Sequence, residues 1–178
     1  TPTAPTTTDN CAGIVTGTPN LSFPITTQGV TVVTWTFSDG NGNSTTANQS
    51  VTVDDTTKPT LTSIAARNEN LGASCSFAIP DYTSLTNAAD NCTPTGSIIK
   101  TQLPVSGTLI SGHNTSQLVT ITANDGNGNT ESTTFTITLK DVTAPTTPTL
   151  TAINVGQCSG TPTAPTTTDN CAGIVTGT

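Results

Sequence analysis

Aspartate and asparagine residues have the clearest chemical potential in this sequence, because they recur in two fixed motifs. The first, Asp-Gly-Asn-Gly-Asn, occupies residues 39–43 and 125–129. The second, Asp-Asn-Cys, occupies residues 9–11, 90–92 and 169–171. Carboxylate and amide oxygens of this kind are preferred ligands of Ca²⁺. The same residues also form turns without a metal, because Asp and Asn accept hydrogen bonds from nearby backbone N–H groups.

The longer motif resembles the first half of an EF-hand calcium loop, but the second half is missing. An EF-hand requires Gly at the sixth position and Glu at the twelfth. Here the sixth position is Ser44 or Thr130, and the twelfth is Ser50 or Thr136. We therefore exclude an EF-hand, which leaves a calcium site of another kind or a turn without metal.

The spacing of the motifs shows that the chain is repetitive. Residues 161–178 repeat residues 1–18 letter for letter, so residues 1–160 make up one period. We call the segment that occurs at both 1–18 and 161–178 the terminal repeat. The three Asp-Asn-Cys motifs divide that period almost in half, so each period holds two related modules. We predict an N-terminally truncated module at 1–55, a complete module at 56–141, and the start of a third at 142–178. Such tandem arrays provide length, or many weak contacts in parallel.

The five cysteines are the second candidate for chemistry. Cys75 precedes Cys92, and Cys158 precedes Cys171, at similar short spacings. We predict one disulfide per module, Cys75–Cys92 and Cys158–Cys171, with Cys11 bonded to a partner outside this stretch of chain. Each bond would contribute roughly 3 kcal/mol and would indicate an oxidising compartment. Reduced structural cysteines are the alternative; a metal site is disfavoured, because the chain has one His and no Cys-x-x-Cys.

Catalytic constellations are weak, and we expect no enzymatic activity. His113 is the only histidine, and no Gly-x-Ser-x-Gly motif is present. Residues 156–160 imitate that motif with a cysteine, but no helix signal follows. Trp35 alternates with apolar neighbours and is expected in a core, whereas Tyr82 is a weaker core candidate and could contact a glycan.

Alternation of apolar residues predicts an all-β chain. Apolar residues occur at every second position in 33–37 and 119–123, just before the two Asp-Gly-Asn-Gly-Asn motifs. They do so again in 135–139, after the second of these motifs. The Asn-Gly pairs 41–42 and 127–128 predict hairpins with primed turns, in which Asn and Gly take positive φ. Short strands separated by frequent turns favour a β-sandwich.

Composition limits the function classes. A net charge of −7 with four cationic residues argues against nucleic-acid binding. No apolar run approaches the length of roughly 18 residues that a membrane-spanning helix needs. A hydrophobic fraction of 31% predicts thin cores, which small modules must supplement with other stabilisation.

The order of these motifs resembles a known family. The chain resembles hyalin-repeat (HYR) modules in the order of its motifs. These are an early Cys, then Asp-Asn-Cys, then Val-Thr-x-Thr before Asp-Gly-Asn-Gly-Asn, and finally Asp-x-Thr-x-Pro. They resemble more closely the repeats of SprB-type adhesins of gliding Bacteroidetes, over essentially the whole chain. The resemblance implies immunoglobulin-like sandwiches in a long cell-surface adhesin, exported by type 9 secretion and used in gliding motility. The last strand carries no cysteine, unlike many animal HYR modules.

The resemblance also implies a place for calcium. In an immunoglobulin-like sandwich the loop after the second strand, the last hairpin and the incoming chain lie at one end, so acidic elements would converge at each module junction. The predicted calcium ligands at the central junction and at the next are Asp54, Asp55, Asp90, Asn91, Asp125, Asn127, Asp141, Asp169 and Asn170. Their counterparts at the preceding junction are Asp9, Asn10, Asp39, Asn41 and Asn43. Turn formation without metal remains the alternative.

Two functions fit these expectations. One is a repetitive extracellular stalk or adhesin segment of a giant cell-surface protein, whose partners are neighbouring repeats and surface polysaccharide or other cell-surface ligands. The other is a structural subunit of an extracellular filament or matrix; a carbohydrate-binding accessory module is a weaker third. Thr56 lies in an Asp-Thr-Thr motif and is a predicted O-glycosylation site; the sequons at Asn20 and Asn114 are weaker candidates.

Overall fold

A computed structural model describes residues 2–178, and within them the chain is all-β, which confirms the predicted class. The only helical segments there are two three-residue 3-10 turns, Thr83–Leu85 and Thr95–Ser97. The chain divides into two compact units, Thr1–Thr57 and Lys58–Thr178. The predicted module boundaries remain predictions.

The first unit is built around one long hairpin. Its strands are β1 (Thr6–Asp9), β2 (Gly13–Thr16), β3 (Thr18–Pro19), β4 (Gly29–Ser38) and β5 (Ser44–Val53). Strands β1 and β2 form an antiparallel pair, and β3, β4 and β5 form an antiparallel sheet with β4 in the centre.

One face of β4 forms the core of the first unit. Val33, Trp35 and Phe37 are buried, as their alternation predicts. Phe23 packs on Trp35 with ring centroids 6.0 Å apart. The indole Nε1 of Trp35 donates a hydrogen bond to Gln49 Oε1 at 2.9 Å, so this large side chain is buried with its polar atom satisfied.

The second unit contains ten strands. They are β6 (Thr60–Leu61), β7 (Arg67–Asn70), β8 (Ser76–Ala78), β9 (Ala88–Ala89), β10 (Ile99–Leu103), β11 (Leu109–Ser111), β12 (Ser116–Asn124), β13 (Thr130–Lys140), β14 (Thr166–Asp169) and β15 (Gly173–Thr176). The main sheet has the order β10-β12-β13-β7, in which β7 runs parallel to β13 and the other pairs are antiparallel. Strands β8 and β11, β6 and β9, and β14 and β15 form three separate antiparallel pairs.

The core of the second unit lies between the main sheet and the short strand pairs. Its buried members are Ile79, Tyr82, Val119, Ile121, Phe135 and Ile137, with Phe77 and Ile110 packed against them. Tyr82 is a core residue that meets Phe135 edge-on with centroids 5.2 Å apart, so it is not an exposed glycan-binding aromatic. Its hydroxyl donates to Glu69 Oε1 at 2.8 Å, and Glu69 in turn pairs with Arg67.

The terminal repeat folds the same way in both places. Strands β1 and β2 pair with Thr6 opposite Thr16, and β14 and β15 pair with Thr166 opposite Thr176, one period later. In each copy the same glycine, Gly13 or Gly173, takes a positive φ at the end of the turn. The terminal repeat is therefore a repeat of structure as well as of sequence.

The two predicted hairpins are confirmed, but their turns differ from the prediction. Strands β4 and β5, and β12 and β13, are joined by the five-residue Asp-Gly-Asn-Gly-Asn segments. The positive φ angles fall on the glycines, 77° and 101° at Gly40 and Gly42, and not on Asn41. A two-residue primed turn is not formed, because the aspartate at the start of the loop holds a longer loop together.

Candidate functional site

Asp125 organises the acidic loop between β12 and β13. Its Oδ1 accepts hydrogen bonds from the backbone N–H groups of Asn127 (2.8 Å) and Asn129 (3.0 Å), and its Oδ2 accepts one from Asn129 Nδ2 (2.6 Å). Burial alone would raise the pKa of Asp125, but the hydrogen bonds from Asn129 and Asn127 outweigh it, and the pKa is lowered. The carboxylate is therefore ionised at neutral pH although it is buried.

Asp39 has the same arrangement in the first unit. Its Oδ1 accepts from the N–H groups of Asn41 and Asn43, and its Oδ2 accepts from Asn43 Nδ2 at 2.6 Å. The Asn43 side chain, followed by the backbone of Asn41, lowers the pKa of Asp39. Asp9 lines the same cleft as Asp39 and Asn43. Three of the calcium ligands predicted for the preceding junction, Asp9, Asp39 and Asn43, thus line one cleft.

The Asp-Asn-Cys motifs form three turns of one construction. In each, the aspartate Oδ1 accepts from the N–H of the cysteine and from the N–H of the residue after it. These bonds are 2.8 and 2.8 Å at Asp9, 2.9 and 2.9 Å at Asp90, and 2.9 and 2.8 Å at Asp169. This is the turn chemistry that the sequence offers as the alternative to calcium, and it uses only one carboxylate oxygen.

The other oxygen is different in the second and third turns. Asp90 Oδ2 and Asp169 Oδ2 are buried and have no hydrogen-bond partner, and the same is true of Asn170 Oδ1. A buried polar atom without a partner costs stability. These oxygens are therefore the atoms at which a cation would make the largest difference.

Asp90 and Asp125 are brought together within the second unit. Their ligand oxygens lie within 4.8 Å of each other. Thr93, which sequence analysis missed, links the two loops: its Oγ1 donates to the Asp125 carbonyl at 3.1 Å and accepts from Asn127 Nδ2 at 3.1 Å. No motif marks Thr93, since the other two Asp-Asn-Cys copies have alanine at that position.

Asp169, in the third Asp-Asn-Cys turn, lies near Asp141. The N–H groups of Ala172 and Cys171 are the main cause of the lowered pKa of Asp169, and the Asp141 side chain makes a smaller contribution. Asn170 Nδ2 donates to the Gly72 carbonyl at 3.1 Å, so the third turn docks on the loop before β8. The backbone of Asp141 is held by His113, whose Nδ1 accepts from the Asp141 N–H at 3.0 Å.

The remaining predicted ligands differ in exposure and in their hydrogen bonds. Asp54 is exposed, and Asp55 is buried and donates its N–H to Gln28 Oε1 at 2.9 Å. Asn91 is exposed, and its Nδ2 donates to Cys92 Sγ at 3.2 Å. These roles as ligands stay predictions. The same applies to glycosylation at Thr56, whose side chain is exposed.

The predicted disulfide pairing is wrong. The bond joins Cys75 to Cys171, which have Cα atoms 5.0 Å apart and a sequence separation of 96, so neither Cys75–Cys92 nor Cys158–Cys171 forms. Cys11 and Cys158 are exposed thiols.

The positions of the two turns along β13 explain the error. The loop of Cys75 lies beside the end of β13, since the Leu71 N–H donates to the Lys140 carbonyl at 2.8 Å. The turn of Cys92 lies near the start of β13, where Thr93 contacts Asp125. Those ends are roughly 30 Å apart at about 3.3 Å per residue, whereas a disulfide requires Cα atoms within about 7 Å.

A scan against protein-family models found no match to this chain, and neither did a search of the curated proteins. Among residues 2–178, no helix combines the length and the apolar character needed to cross a membrane. Function is therefore inferred from the repeat and from the chemistry of the loops described above.

Proposed function

We propose that this chain is a segment of an extracellular stalk or adhesin made of tandem immunoglobulin-like modules. The observation that carries the proposal is the terminal repeat, which forms the same hairpin with the same register one period apart. An enzyme has little use for identical copies of one surface in register, whereas a stalk gains length and a binder gains avidity from each copy. The proposal includes no catalytic activity.

The strand arrangement of the second unit supports immunoglobulin-like modules. Its main sheet contains a long antiparallel hairpin of β12 and β13, and a short early strand, β7, pairs in parallel with β13, the last strand of that sheet in chain order. Short strand pairs cover the apolar face of this sheet. Two layers with a long hairpin formed by the last two strands of one sheet are typical of sandwiches of this class.

The location and partners follow from the resemblance to SprB-type adhesins. A disulfide supports export to an oxidising compartment, and the cell surface of a gliding bacterium that uses type 9 secretion is the proposed place. The partners are neighbouring repeats and polysaccharide or other ligands on an opposing surface.

A structural filament subunit is the second candidate, and one observation favours it. Ile14 and Ile174, at the same position of the repeated hairpin, are 76% and 77% exposed. Apolar side chains repeated once in every period would provide regular lateral contacts between chains.

Sedimentation velocity and surface binding separate the two candidates. A stalk or adhesin should stay monomeric as its concentration rises, and beads coated with it should be retained on polysaccharide-coated glass more than uncoated beads. A filament subunit should instead associate as concentration rises, and Ile14→Ser with Ile174→Ser should abolish that association. Monomers without retention on any tested surface would leave only the stalk role.

We further propose that Ca²⁺ binds the acidic loops of the second unit. Calcium takes six to eight oxygens, and the buried Oδ2 atoms of Asp90 and Asp169 and the Oδ1 of Asn170 are oxygens without a partner. Asp125 and Asp141 would complete the carboxylate sets beside Asp90 and Asp169. The linker residues Asp54 and Asp55 stay predicted ligands.

Calcium binding is tested by the thermal midpoint with calcium and with chelator. Binding to the folded state alone should raise the free energy of unfolding by a few kcal/mol at saturation. Asp90→Ala and Asp125→Ala should each reduce that difference. Asp81→Ala is the matched control, because Asp81 also closes a turn, accepting from the Thr83 N–H at 2.9 Å, but has no place in the acidic group. Equal midpoints with calcium and chelator would assign these aspartates to turn formation alone.

Glycosylation at Thr56 is tested by the intact mass of residues 1–178 produced in the native host. The exposed Asp-Thr-Thr linker predicts a mass above the 17.9 kDa of the bare chain, and Thr56→Ala should remove the difference. A native mass equal to that of the bare chain would rule the modification out.

A further inference from the structure

The disulfide joins two different modules of the repeat. Cys75 lies in the loop between β7 and β8, and Cys171 lies in the turn between β14 and β15. In the predicted module scheme these turns belong to the module 56–141 and to the start of the next one. The bond is therefore a covalent link between consecutive modules.

Both halves of this link recur in the sequence. Cys171 stands in an Asp-Asn-Cys turn, and Cys11 and Cys92 stand in turns with the same pair of aspartate hydrogen bonds. Cys75 follows Asn-Leu-Gly, and Cys158 follows Asn-Val-Gly. The module 56–141 and the one that begins at 142 thus each carry a cysteine of a first kind, shortly after the Asn-Leu/Val-Gly segment, and one of a second kind, in the Asp-Asn-Cys turn.

The register of the repeat pairs the first kind with the second kind one module later. Cys75 and Cys171 are separated by 96 positions in sequence. A copy of Cys92 one period further along the array would follow Cys158 at almost the same separation. The docking contact from Asn170 to the Gly72 carbonyl also has an equivalent there, in Asn91 and Gly156.

We propose that every module of the array is bonded to the next in this way, with Cys158 joined to Cys92 of the following copy. The proposal rests on the tandem arrangement but not on an adhesive role. Each bond forms when two thiols lose two protons and two electrons. A disulfide oxidant such as glutathione disulfide accepts the electrons and leaves as two thiols.

These bonds form overlapping rings, because residues 158–171 belong to two successive ones. A pulling force passes from Cys75 through its bond to Cys171, backwards along the chain to Cys158, and then across the next bond. We call such a backward segment a return path. In the module 56–141 the return path runs from Cys92 to Cys75.

The return paths set the greatest length of the oxidised array. Together they make up about 30 residues per period, which at about 3.5 Å per residue limits the fully stretched length to about 110 Å. The reduced chain would reach about 560 Å per period at the same length per residue. The oxidised array would then extend far less than the reduced array when its modules unfold.

A peptide map of a longer chain tests the pairing. The chain consists of two copies of residues 1–160 followed by 161–178, oxidised with glutathione disulfide, alkylated, and cleaved before aspartate without reduction. That cleavage puts the four kinds of cysteine in one period on the peptides 9–38, 55–80, 90–124 and 141–168; in the chain 1–178 Cys171 lies on a fifth peptide, 169–178.

The expected map links peptide 141–168 to peptide 90–124, in addition to the Cys75 bond. The single chain 1–178 is the matched control, since it contains no later copy of Cys92 and should show only the link between 55–80 and 169–178. Bonds within a module, Cys75 to Cys92 or Cys158 to Cys171, would overturn the proposal, as would complete alkylation of Cys158 in the longer chain. A chain with the expected map that proves compact in solution would refute the stalk role and leave the bonds in place.

Force extension gives an independent readout on the same longer chain. At complete unfolding the oxidised chain should reach a stretched length about five-fold shorter than that of the reduced chain, because the return paths limit it. Equal lengthening in both states would contradict the overlapping rings.

Discussion

In two of the Asp-Asn-Cys turns, the two carboxylate oxygens of the aspartate have different surroundings. In the Asp-Asn-Cys turns, Oδ1 closes the turn through two backbone N–H groups, and in Asp90 and Asp169 the Oδ2 is left buried without a partner. Turn formation and cation binding are therefore compatible in one residue, although sequence analysis sets them against each other. The lowered pKa of Asp169, caused chiefly by those N–H groups, keeps the carboxylate ionised for either task.

Acidification should destabilise the protein through the loop aspartates. Because the pKa values of Asp39 and Asp125 are lowered in the folded state, their contribution is present above the unfolded value of about 4 and is lost as pH falls through the folded value. The urea midpoint should fall steadily from pH 5 to pH 2. Asn129→Ala, which removes a donor to Asp125, should make the fall shallower. A midpoint that is flat across this range would contradict the prediction.

Tyr82 should stabilise the second unit through its hydroxyl as well as its ring. Tyr82→Phe keeps the edge contact with Phe135 but removes the donor to Glu69. The hydrogen bond to a charged group is worth about 1.5–3 kcal/mol, and urea unfolding of the two proteins measures that difference. Thr83→Val is a control on an adjacent side chain for which a smaller change is expected. An unchanged midpoint in Tyr82→Phe would show that water replaces the bond.

The elements of the fold depend on a few strict patterns. Strands β4, β12 and β13 were predictable because one face of each is buried and polar residues occupy the other, which leaves a period of two in the sequence. Strand β7, with the residues Arg-Asn-Glu-Asn, has no such alternation, and its place beside β13 is set by backbone pairing and the Arg67–Glu69–Tyr82 contacts. Its position could not be deduced from hydrophobicity.

The glycines of the loop between β12 and β13 should be required for its conformation. Gly128 has a φ of 103°, which residues with a Cβ rarely adopt. Gly128→Ala should therefore lower the free energy of unfolding by about 1–3 kcal/mol, as measured by urea denaturation. Gly96→Ala is the control, because Gly96 has no positive φ and open space at its Cβ position. A similar effect for both changes would show that loop geometry is not the cause.

At the scale of the whole molecule, the disulfide connects elements that sequence spacing assigns to different modules. Proximity in sequence favours Cys75 with Cys92, but these residues lie near opposite ends of β13. Pairing depends on which end of a strand each turn occupies, and that is a property of topology. The all-β class and the repeat were readable from local patterns, whereas the covalent link between modules was not.

Removal of that link should destabilise the second unit. In the chain-entropy model a closed loop of about 100 residues contributes roughly 4–5 kcal/mol. Cys171→Ser should lower the thermal midpoint under oxidising conditions and have little effect in reductant. Cys11→Ser is the matched control, because Cys11 has the same turn but an exposed thiol. Equal midpoints for Cys171→Ser and the unsubstituted chain would indicate that the bond adds no stability.

Solution scattering of chains with one, two and three copies of residues 1–160 tests the central claim most directly. A stalk of serially joined modules requires the maximum dimension to rise in proportion to copy number, by about 70 Å per copy if each module is as long as β13, about 35 Å. A dimension that rises only with the square root of copy number, or hardly rises at all, would contradict the account, because the modules would then form a flexible chain or a compact body.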